Sequence, residues 1–488
     1  MDRQKCFLLL CCFAVSILCP LVGLCQTINP IDYGFLNAKT GVERYQVLLK
    51  CHKAALPHGR RVCYKGLKRI EIEIPENAQS IPLTSYTDFS GVTIVVKNTK
   101  KSLPLFTLSD RLVPLDTIYG EDIDRGEYTG YDNLRKGLYL LVVTDQNPWI
   151  SNRKGYDYGT IRRDAFVVSN GRTCMRPISS YKTQATKPKA YYCPVDKKKK
   201  IIKNLTFIRA AGSTEITKLF VIQNQYNLVV SNVTIKTPDD GKLYGDAAIQ
   251  LGNCVKVELN DITVNGTYSQ RDKFGYGLSL GNVSNLTIKR MYAKSKWGVF
   301  GNNNIKDVVL KDCDINRFDI HCYGRDVKAI RCEFSEQYNQ FSSFFGTLEY
   351  DKCSFTNFVP VLMESSFNAY TPFDIIWKNC TFCVGKRNNY LITLFGVPEA
   401  KNERLELRRK CLPNVYIKKC SVYLSEDVEQ WYLIETGGLY CQDSFDYVSN
   451  IILKNIKVYN SANKSFGLFS EDVKTTNPLK TVVNIHER

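Results

Sequence analysis

One short pattern of apolar residues recurs along the second half of the chain and limits the folds that it can adopt. An alternating apolar pair is followed by two positions of any type and then by a second alternating apolar pair. We call the third apolar residue of each unit the anchor. Anchors stand at positions 205, 233, 262, 291, 313, 332, 353, 380, 420 and 456. Period-2 alternation on both sides of the step is typical of two short strands joined by a bend.

The spacing of the anchors predicts how these strands are arranged. It begins at 28 residues and falls to 19, which is typical of one β-coil with loops of variable length. A further strand in several coils ends at Gly-Asn, as at 252–253 and 281–282, where a tight corner needs left-handed backbone. A helical solenoid would need period 3.6, which the repeat lacks. We therefore predict an all-β solenoid, a parallel β-helix of about ten coils.

The coil pattern also explains cysteines and asparagines that would otherwise suggest the disulfides and glycosylation sites of an exported protein. Five cysteines occupy anchors, at 313, 332, 353, 380 and 420, where a small apolar thiol fills the core. The other cysteines leave three candidate disulfides, Cys51/Cys63, Cys174/Cys193 and Cys411/Cys441. Three Asn-x-Ser/Thr sequences, at 204, 232 and 379, stand just before an anchor. We interpret them as corner residues rather than glycosylation sites.

The first 25 residues have the organisation of a signal peptide. Arg3 and Lys5 precede an apolar run over residues 6–22. Small residues at 23 and 25 predict cleavage between Cys25 and Gln26. A lipid anchor at Cys25 is an alternative that Leu24 disfavours, because that processing needs a small residue there. The run is short for a membrane span and no later segment qualifies, so we expect a secreted or cell-surface protein.

The charge of the chain indicates the class of its partner. It has 66 Lys and Arg against 48 Asp and Glu, a net charge of +18, which favours acidic partners. We expect an acidic polysaccharide rather than nucleic acid, because the chain is predicted to be exported and shows no nucleic-acid-binding module. A hydrophobic content of 44% is that of a globular protein, not of a disordered one.

Residues 29–96 contain a second informative stretch. Asp-Tyr-Gly at 32–34 precedes an amphipathic helical run at 45–55, a strand at 70–75 that ends in proline, and a Gly-Val-Thr-Ile strand at 91–94. This order resembles the entrance of pectate-lyase-like right-handed parallel β-helix proteins. The resemblance implies that the N-terminal helix caps the open end of the core, whose last coil would otherwise leave unpaired edges.

Enzymes of that superfamily have sequence motifs that this chain lacks. Glu-Arg-Tyr at 43–45 stands where Asp-Asp-Thr or similar is usual. Likeness to its hydrolases would imply a histidine between two glycines, and none of the four histidines lies so. Likeness to its lyases would imply bound calcium, which stays a candidate cofactor although no acidic cluster lies within one coil. No other metal site is predicted, because the close pair Cys380 and Cys383 has no histidine partner.

These segments predict four regions of the chain. Residues 103–196 fit the coil pattern badly, although strands are expected at 138–143 and 165–168. The regions are a signal peptide at 1–25, an N-terminal cap with the first coils at 26–102, early coils with a large inserted subdomain at 103–196, and the main β-helix at 197–488.

The best candidate for chemistry is the segment 317–326. If it is a strand whose apolar residues face the core, its polar residues form an outward row. The candidate catalytic residues, which are this row and its flanking arginines, are Arg317, Asp319, His321, Tyr323 and Arg325. Together they could bind an anionic sugar and move a proton. A lyase would use His321 or Tyr323 as the base and an arginine to neutralise the substrate carboxylate.

Neighbouring coils are expected to extend this surface. The substrate-binding candidates are aromatic, amide and acidic residues one or two coils away, namely Trp297, Asn302, Glu364 and Tyr370, with Tyr338, Asn339, Gln340 and Asn368 beside them. The alternative interpretation is that all these residues are ordinary polar surface, because a fold alone does not confer a function. Burial in the core is the alternative for Trp297.

Two functions therefore stay open. The first is a secreted protein that binds an acidic polysaccharide along one face and, as an enzyme, cleaves it by a lyase or hydrolase reaction near His321. The second is a non-catalytic adhesin or a structural surface spike that uses the solenoid as a rigid rod. The sequence does not indicate an oligomeric state.

Overall fold

A computed structural model describes residues 27–97, 100, 103–145, 161–182, 188–210, 217–236, 247–265, 276–293, 298–335, 337–356, 358–364, 373–386, 389–395, 413–437, 450–470 and 481–487. Within these residues the α-helices are α1 (Gly41–Ala55), α2 (Gly120–Arg125) and α3 (Asp132–Arg135). Short 3-10 helices span Pro30–Tyr33, Phe35–Asn37 and Leu56–His58.

Strands make up most of the described chain. Those before residue 300 begin at β1 (Thr27–Ile28), β2 (Arg61–Cys63), β3 (Arg69–Glu73), β4 (Ile81–Pro82), β5 (Tyr86–Lys97), β6 (Leu103–Ser109), β7 (Val113–Leu115), β8 (Leu138–Thr144), β9 (Arg163–Ser169), β10 (Lys189–Pro194), β11 (Lys200–Arg209), β12 (Thr217–Gln223), β13 (Tyr226–Lys236), β14 (Ile249–Asn265), β15 (Tyr276–Lys289), β16 (Tyr292–Ala293) and β17 (Gly298–Lys311). The later ones are β18 (Asp314–Ile315), β19 (Cys322–Ile330), β20 (Glu333–Phe334), β21 (Gln337–Phe341), β22 (Phe344–Asp351), β23 (Ser354–Phe355), β24 (Phe358–Glu364), β25 (Phe373–Lys378), β26 (Thr381–Val384), β27 (Tyr390–Phe395), β28 (Asn414–Lys418), β29 (Ser421–Leu424), β30 (Gln430–Gly437), β31 (Ile451–Tyr459), β32 (Ser465–Phe469) and β33 (Thr481–Glu487).

Strands of successive coils stack in parallel, which confirms the predicted right-handed parallel β-helix. The longest row runs β5, β11, β13, β14, β15, β17, β19, β22, β25, β28, β31 and β33. The anchors are in register, since Leu205 pairs with Val233 and Val233 with Ile262. The structure extends the anchor column by one coil at each end, with Val92 beside Leu205 and Ile485 beside Ile456. A second parallel row, β21, β24, β27, β30 and β32, forms another face of the later coils.

The anchor column lies inside the solenoid, as predicted. All five anchor cysteines are buried and are free thiols. Two positions further along each coil, Phe334, Phe355 and Phe382 stack on one another with ring centroids 5.2 and 5.3 Å apart. Burial of such aromatic side chains contributes a large share of core stability.

Left-handed residues turn the corners of each coil. The residue before each anchor has positive φ, for example Asn204 (64°), Asn232 (51°) and Asn379 (56°), which confirms their interpretation as corner residues. Asparagine tolerates this conformation better than most residues. The ladder is also hydrogen-bonded, because the Asn232 Nδ2 donates to Asn204 Oδ1 at 2.9 Å.

Helix α1 covers the N-terminal end of the core, as the resemblance implied. Thr40 caps it by accepting from the Glu43 N–H at 3.1 Å, and the Glu43 carboxylate accepts from the Thr40 N–H at 3.1 Å. The unusual Glu43 therefore defines the start of the helix. Tyr45, Leu48 and Cys51 are buried against the first coils.

The insertion forms its own antiparallel sheet in the order β7, β10, β8 and β9. The expected strands at 138–143 and 165–168 are β8 and β9, which pair antiparallel. Strand β6 belongs to the β-helix instead, where it pairs in parallel with β4 and β12. The small sheet packs on the outside of the solenoid, with β9 against β14, β15 and β17.

Two of the candidate disulfides are not formed. Cys51, Cys63, Cys174 and Cys193 are free thiols, and Cys411 and Cys441 lie outside the described residues, as does the predicted signal peptide. In the described part of the chain, no helix is both long enough and apolar enough to cross a membrane.

Candidate functional site

The predicted outward row is wrong in its geometry. Residues 316–321 are not a strand and contribute only one bridge, between Ile320 and Phe341. Side chains alternate between two faces only in extended strands, so the alternation does not apply here. Arg317 and Asp319 are fully buried together with the apolar Phe318 and Ile320.

Arg317 and Asp319 form an ion pair inside the protein. The Arg317 Nη2 lies 2.5 Å from Asp319 Oδ2, and both side chains are 0% exposed. The guanidinium also lies 5.1 Å above the centroid of the Tyr338 ring. Asp319 Oδ1 accepts from the Gln340 N–H at 3.1 Å. The pair therefore joins this loop to the coil that follows it.

His321 connects this buried pair to the surface. Its side chain is 21% exposed, and its Nε2 lies 4.0 Å from Asp319 Oδ2, beyond direct hydrogen-bonding distance. Of these three groups, the guanidinium and the carboxylate are buried and the imidazole is partly exposed. An imidazole with a carboxylate behind it is an arrangement used for proton transfer, and such contacts often tighten when substrate binds.

Neither Tyr323 nor Arg325 is placed as predicted. Tyr323 is fully buried at a corner with φ of 58°, so its phenol cannot meet a polymer. Arg325 binds the inserted subdomain, donating from Nη1 to the carbonyl oxygens of Pro177 at 3.3 Å and Ile178 at 3.1 Å. It also pairs with Asp326 at 3.2 Å. Of the five catalytic candidates, His321 and Arg325 retain exposure.

Asn339 and Gln340, which we predicted to form binding surface, instead support the loop at 316–321 from inside the protein. Asn339 is fully buried. Its Oδ1 accepts from the Phe318 N–H at 2.8 Å, and its Nδ2 donates to the Pro360 carbonyl at 3.2 Å. Gln340 is also buried. Tyr338 stays half-buried and is the aromatic side chain that faces Arg317.

The substrate-binding candidates are not brought to the site by any described contact. Trp297, Asn368 and Tyr370 lie outside the described residues. Asn302 is in β17 and Glu364 ends β24, but their side chains are outside the described part of the chain.

Sequence reasoning missed a second polar cluster, beneath the inserted subdomain. Lys306 Nζ lies 2.6 Å from Asp164 Oδ1 with both side chains buried. The Tyr181 hydroxyl and the Ile178 N–H donate to the same carboxylate at 3.0 and 3.1 Å. Burial lowers the pKa of Lys306, and Asp164 opposes that shift. The available signal in the sequence was Lys306 itself. Strand alternation places this lysine on the outward face and therefore predicts that it is solvated.

Charged groups also hold the ends of the segment between Asp145 and Arg162. Their side chains form a buried ion pair at 3.0 Å, and the Asp145 N–H donates to the Arg162 carbonyl at 2.9 Å. The Arg162 guanidinium lies 3.7 Å above the ring centroid of Tyr181. This contact network belongs to the subdomain.

Among the described residues, no group of three or more His, Cys, Asp or Glu side chains could hold a metal ion. At the candidate site one carboxylate and one imidazole lie together, and the carboxylate already pairs with an arginine. The group at this site that is able to transfer a proton is the His321 imidazole.

Comparison with known proteins identifies the fold and no closer relationship. No protein-family description matches the sequence, and no curated protein matches it. Among solved structures, the chain is similar to the tailspike protein gp49 from Pseudomonas phage LKA1, with a TM-score of 0.58, 14% identity, and 88% of this chain and 70% of that chain covered.

Two further tailspikes are similar. The Gp54 tailspike of Acinetobacter baumannii bacteriophage AP22, solved in complex with capsular saccharide, has a TM-score of 0.52, 12% identity and coverage of 90% of this chain and 79% of its own. The tailspike gp61 of Pseudomonas phage phi297 has a TM-score of 0.50, 12% identity and coverage of 88% and 80%. At these identities the similarity shows the shared β-helix fold.

Proposed function

We propose that this chain is an exported protein of the pectate-lyase-like β-helix superfamily that binds an acidic polysaccharide and cleaves it at His321. The observation that carries the proposal is the partly exposed imidazole of His321, with the buried carboxylate of Asp319 behind it. The net charge of +18 favours an anionic polymer. The AP22 tailspike, which shares the fold, binds a capsular saccharide.

The proposed roles differ from those that the sequence suggested. His321 takes or gives the proton. Asp319 is a positioning residue, and Arg317 holds Asp319 in place. Arg317 is fully buried and already paired, so it is not the group that neutralises a substrate carboxylate. Arg325 is engaged with subdomain carbonyls, so a lyase reaction would need another cation.

Two reactions fit a single proton-transfer group. In a lyase, His321 takes a proton from the carbon next to the substrate carboxylate, a double bond forms as the glycosidic C–O bond breaks, and the leaving oxygen takes up a proton from solvent. In a hydrolase, His321 takes a proton from the attacking water or gives one to the leaving oxygen, and no double bond forms. The products therefore separate the two.

The test is product release from a panel of acidic polysaccharides by the wild type and by His321→Ala. His58→Ala is the matched control, because His58 is another exposed histidine, remote in sequence. We expect His321→Ala to lower cleavage by about 10²- to 10⁴-fold and His58→Ala to leave it unchanged. Ultraviolet-absorbing unsaturated ends identify a lyase, and reducing ends without them identify a hydrolase.

The second candidate function is a non-catalytic adhesin or surface spike. The burial of Arg317, Asp319 and Tyr323 favours it, because fully buried polar groups commonly serve the fold. Binding of the polysaccharides without cleavage by any of the three proteins would replace the enzymatic proposal with this one.

A further inference from the structure

We infer that a strip of lysines and tyrosines on the C-terminal coils binds the acidic polysaccharide through its carboxylates, an inference that takes its ligand class from the proposed function. We call this surface the basic-aromatic strip, and its members are Lys418, Lys419, Tyr423, Lys454, Lys457 and Tyr459. It begins three coils beyond His321 along the solenoid, because β22 and β25 lie between β19 and β28.

The register of the solenoid places lysines side by side. Lys418 and Lys454 are direct partners in the parallel pairing of β28 with β31. The residues before them, Ile417 and Leu453, are buried in the core, so the two lysines face outward. Lys419 occupies the next corner, with φ of 56°. All three lysines are exposed.

Two tyrosines continue the strip on the adjacent face. Tyr423 and Tyr459 stack with ring centroids 4.6 Å apart and planes 6° from parallel. Tyr423 is 42% exposed. Lys457 is exposed two residues before Tyr459, with buried Val458 between them, so Lys457 and Tyr459 share the outer face.

The positive charge of the strip is not neutralised within the described chain. None of Lys418, Lys419, Lys454 or Lys457 has a carboxylate of a described residue within 4.0 Å. The column of Lys419, the residue before the anchor, behaves differently in earlier coils, where Arg290 pairs with Asp261 at 2.6 Å and Arg331 with Asp312 at 2.6 Å.

The uncompensated charge has a cost that a bound anion would relieve. Like charges directly opposite each other on neighbouring strands are destabilising, and Lys418 and Lys454 are such a pair. Neighbouring strands lie about 4.8 Å apart. A linear polyanion that runs along the coil stack would therefore pass the lysines of one coil and then those of the next.

The ligand class comes from the proposed function rather than from the type of cation. A lysine ammonium is a point charge that attracts carboxylates and phosphates alike, and every cation of the strip is a lysine. An aromatic ring has an apolar face, on which the C–H face of a sugar can pack. Tyr423 and Tyr459 stack on one another and Tyr423 is 42% exposed, so the exposed part of this pair is the aromatic surface available to a sugar.

The experiment measures binding of labelled polygalacturonate oligomers to the full chain at low and at physiological ionic strength. The test variant is Lys418→Gln/Lys454→Gln/Lys457→Gln. The matched control is Lys50→Gln/Lys65→Gln/Lys68→Gln, which removes the same net charge from exposed lysines of the N-terminal region. We expect about tenfold weaker binding for the test variant and little change for the control.

Four outcomes are decisive. An equal loss in both variants would show that net charge alone attracts the polymer, and equal binding by the wild type and the test variant would exclude the strip. Either result overturns this inference and leaves the proposed function intact. A single-stranded oligonucleotide that binds as tightly, with the same loss in the test variant, would replace the glycan by nucleic acid. If the wild type binds none of the acidic polysaccharides of the cleavage panel, polygalacturonate included, the proposed function itself fails.

Thermal unfolding is the control for folding. Because the substitutions remove like-charge repulsion, the test variant should unfold at the same temperature as the wild type or slightly above it. A weakened variant with an unchanged unfolding temperature therefore reports on binding.

Discussion

Two of the ion pairs that are buried among the described residues differ in their surroundings, one beneath the inserted subdomain and one at the candidate site. Lys306 and Asp164 meet at 2.6 Å, and Arg317 and Asp319 meet at 2.5 Å. Further donors from the subdomain surround the Asp164 carboxylate. The Asp319 carboxylate has His321 nearby, and that imidazole reaches the surface.

The difference shows that a buried charge pair does not by itself indicate function. The Lys306–Asp164 pair fixes the position of the inserted subdomain on the solenoid. The pair at the candidate site has a group through which protons could pass to a bound polymer. Access of His321, rather than the presence of charge, is what makes the second cluster a candidate for chemistry.

The largest expected effect on stability is at the subdomain. Lys306→Ala leaves the Asp164 carboxylate buried without its cation, and we expect a loss of about 3–5 kcal/mol in the free energy of unfolding. Urea titration would measure it. Lys311→Ala, on the same strand β17 and only half-buried, should change stability by less than about 0.5 kcal/mol. Equal stability of the two variants would remove the structural role of the Lys306 pair.

Asp319→Asn separates the two roles of the second pair. It leaves Arg317 buried without a countercharge, so we expect a loss of about 3 kcal/mol together with a loss of cleavage. His321→Ala should lower cleavage with unchanged unfolding. If the histidine substitution destabilises the fold as much as Asp319→Asn does, the imidazole belongs to the structural network and the contrast between the two clusters disappears.

The same contrast between buried and accessible groups applies to the histidines. His52 is fully buried, with ring nitrogens 3.0 Å from the Pro82 carbonyl and 2.9 Å from the Tyr64 hydroxyl. Burial lowers the pKa of His52 to about 4. The unfolded chain takes up this proton near pH 6.5, whereas the folded chain does so only near pH 4.

Stability should therefore fall as the pH falls from about 6.5 to about 4, by at most about 3 kcal/mol from this group. The measurement is the free energy of unfolding against pH for the wild type and His52→Asn. The asparagine variant should lose the part of the slope that His52 contributes. Parallel curves for the two proteins would assign the pH dependence to other groups.

The smallest expected effect concerns an ion pair outside the core. Arg290 and Asp261 pair through two contacts, of 2.6 and 2.8 Å, with side chains about half exposed. A double-mutant cycle with Arg290→Ala and Asp261→Ala should give a coupling energy of about 0.5 kcal/mol. A coupling energy as large as the loss of about 3–5 kcal/mol expected for Lys306→Ala would mean that burial does not set the difference between the pairs.

Local rules of the sequence determined the fold. The apolar step places anchors inward in every coil, and residues such as Asn232 and Asn379 tolerate the left-handed backbone of the corners. The helix before the first coils was recognisable from its amphipathic run. These features are local, because each depends on residues a few positions apart, and stacking of the coils then follows.

Tertiary structure alone decided which polar groups are accessible. Alternation assigns Arg325 to the outside of a strand but does not show that carbonyls 147 and 148 residues away cover it. The anchor register places Lys418 beside Lys454 and Arg331 beside Asp312, so these outward neighbours follow from the repeat, whereas the burial of Lys306 beneath Asp164 does not. Asp319 is buried because its segment leaves the strand conformation on which the prediction relied. The sequence by itself determined the coil and its inward face, and long-range packing determined the chemistry of the outward one, because inward contacts repeat locally whereas outward contacts depend on distant segments.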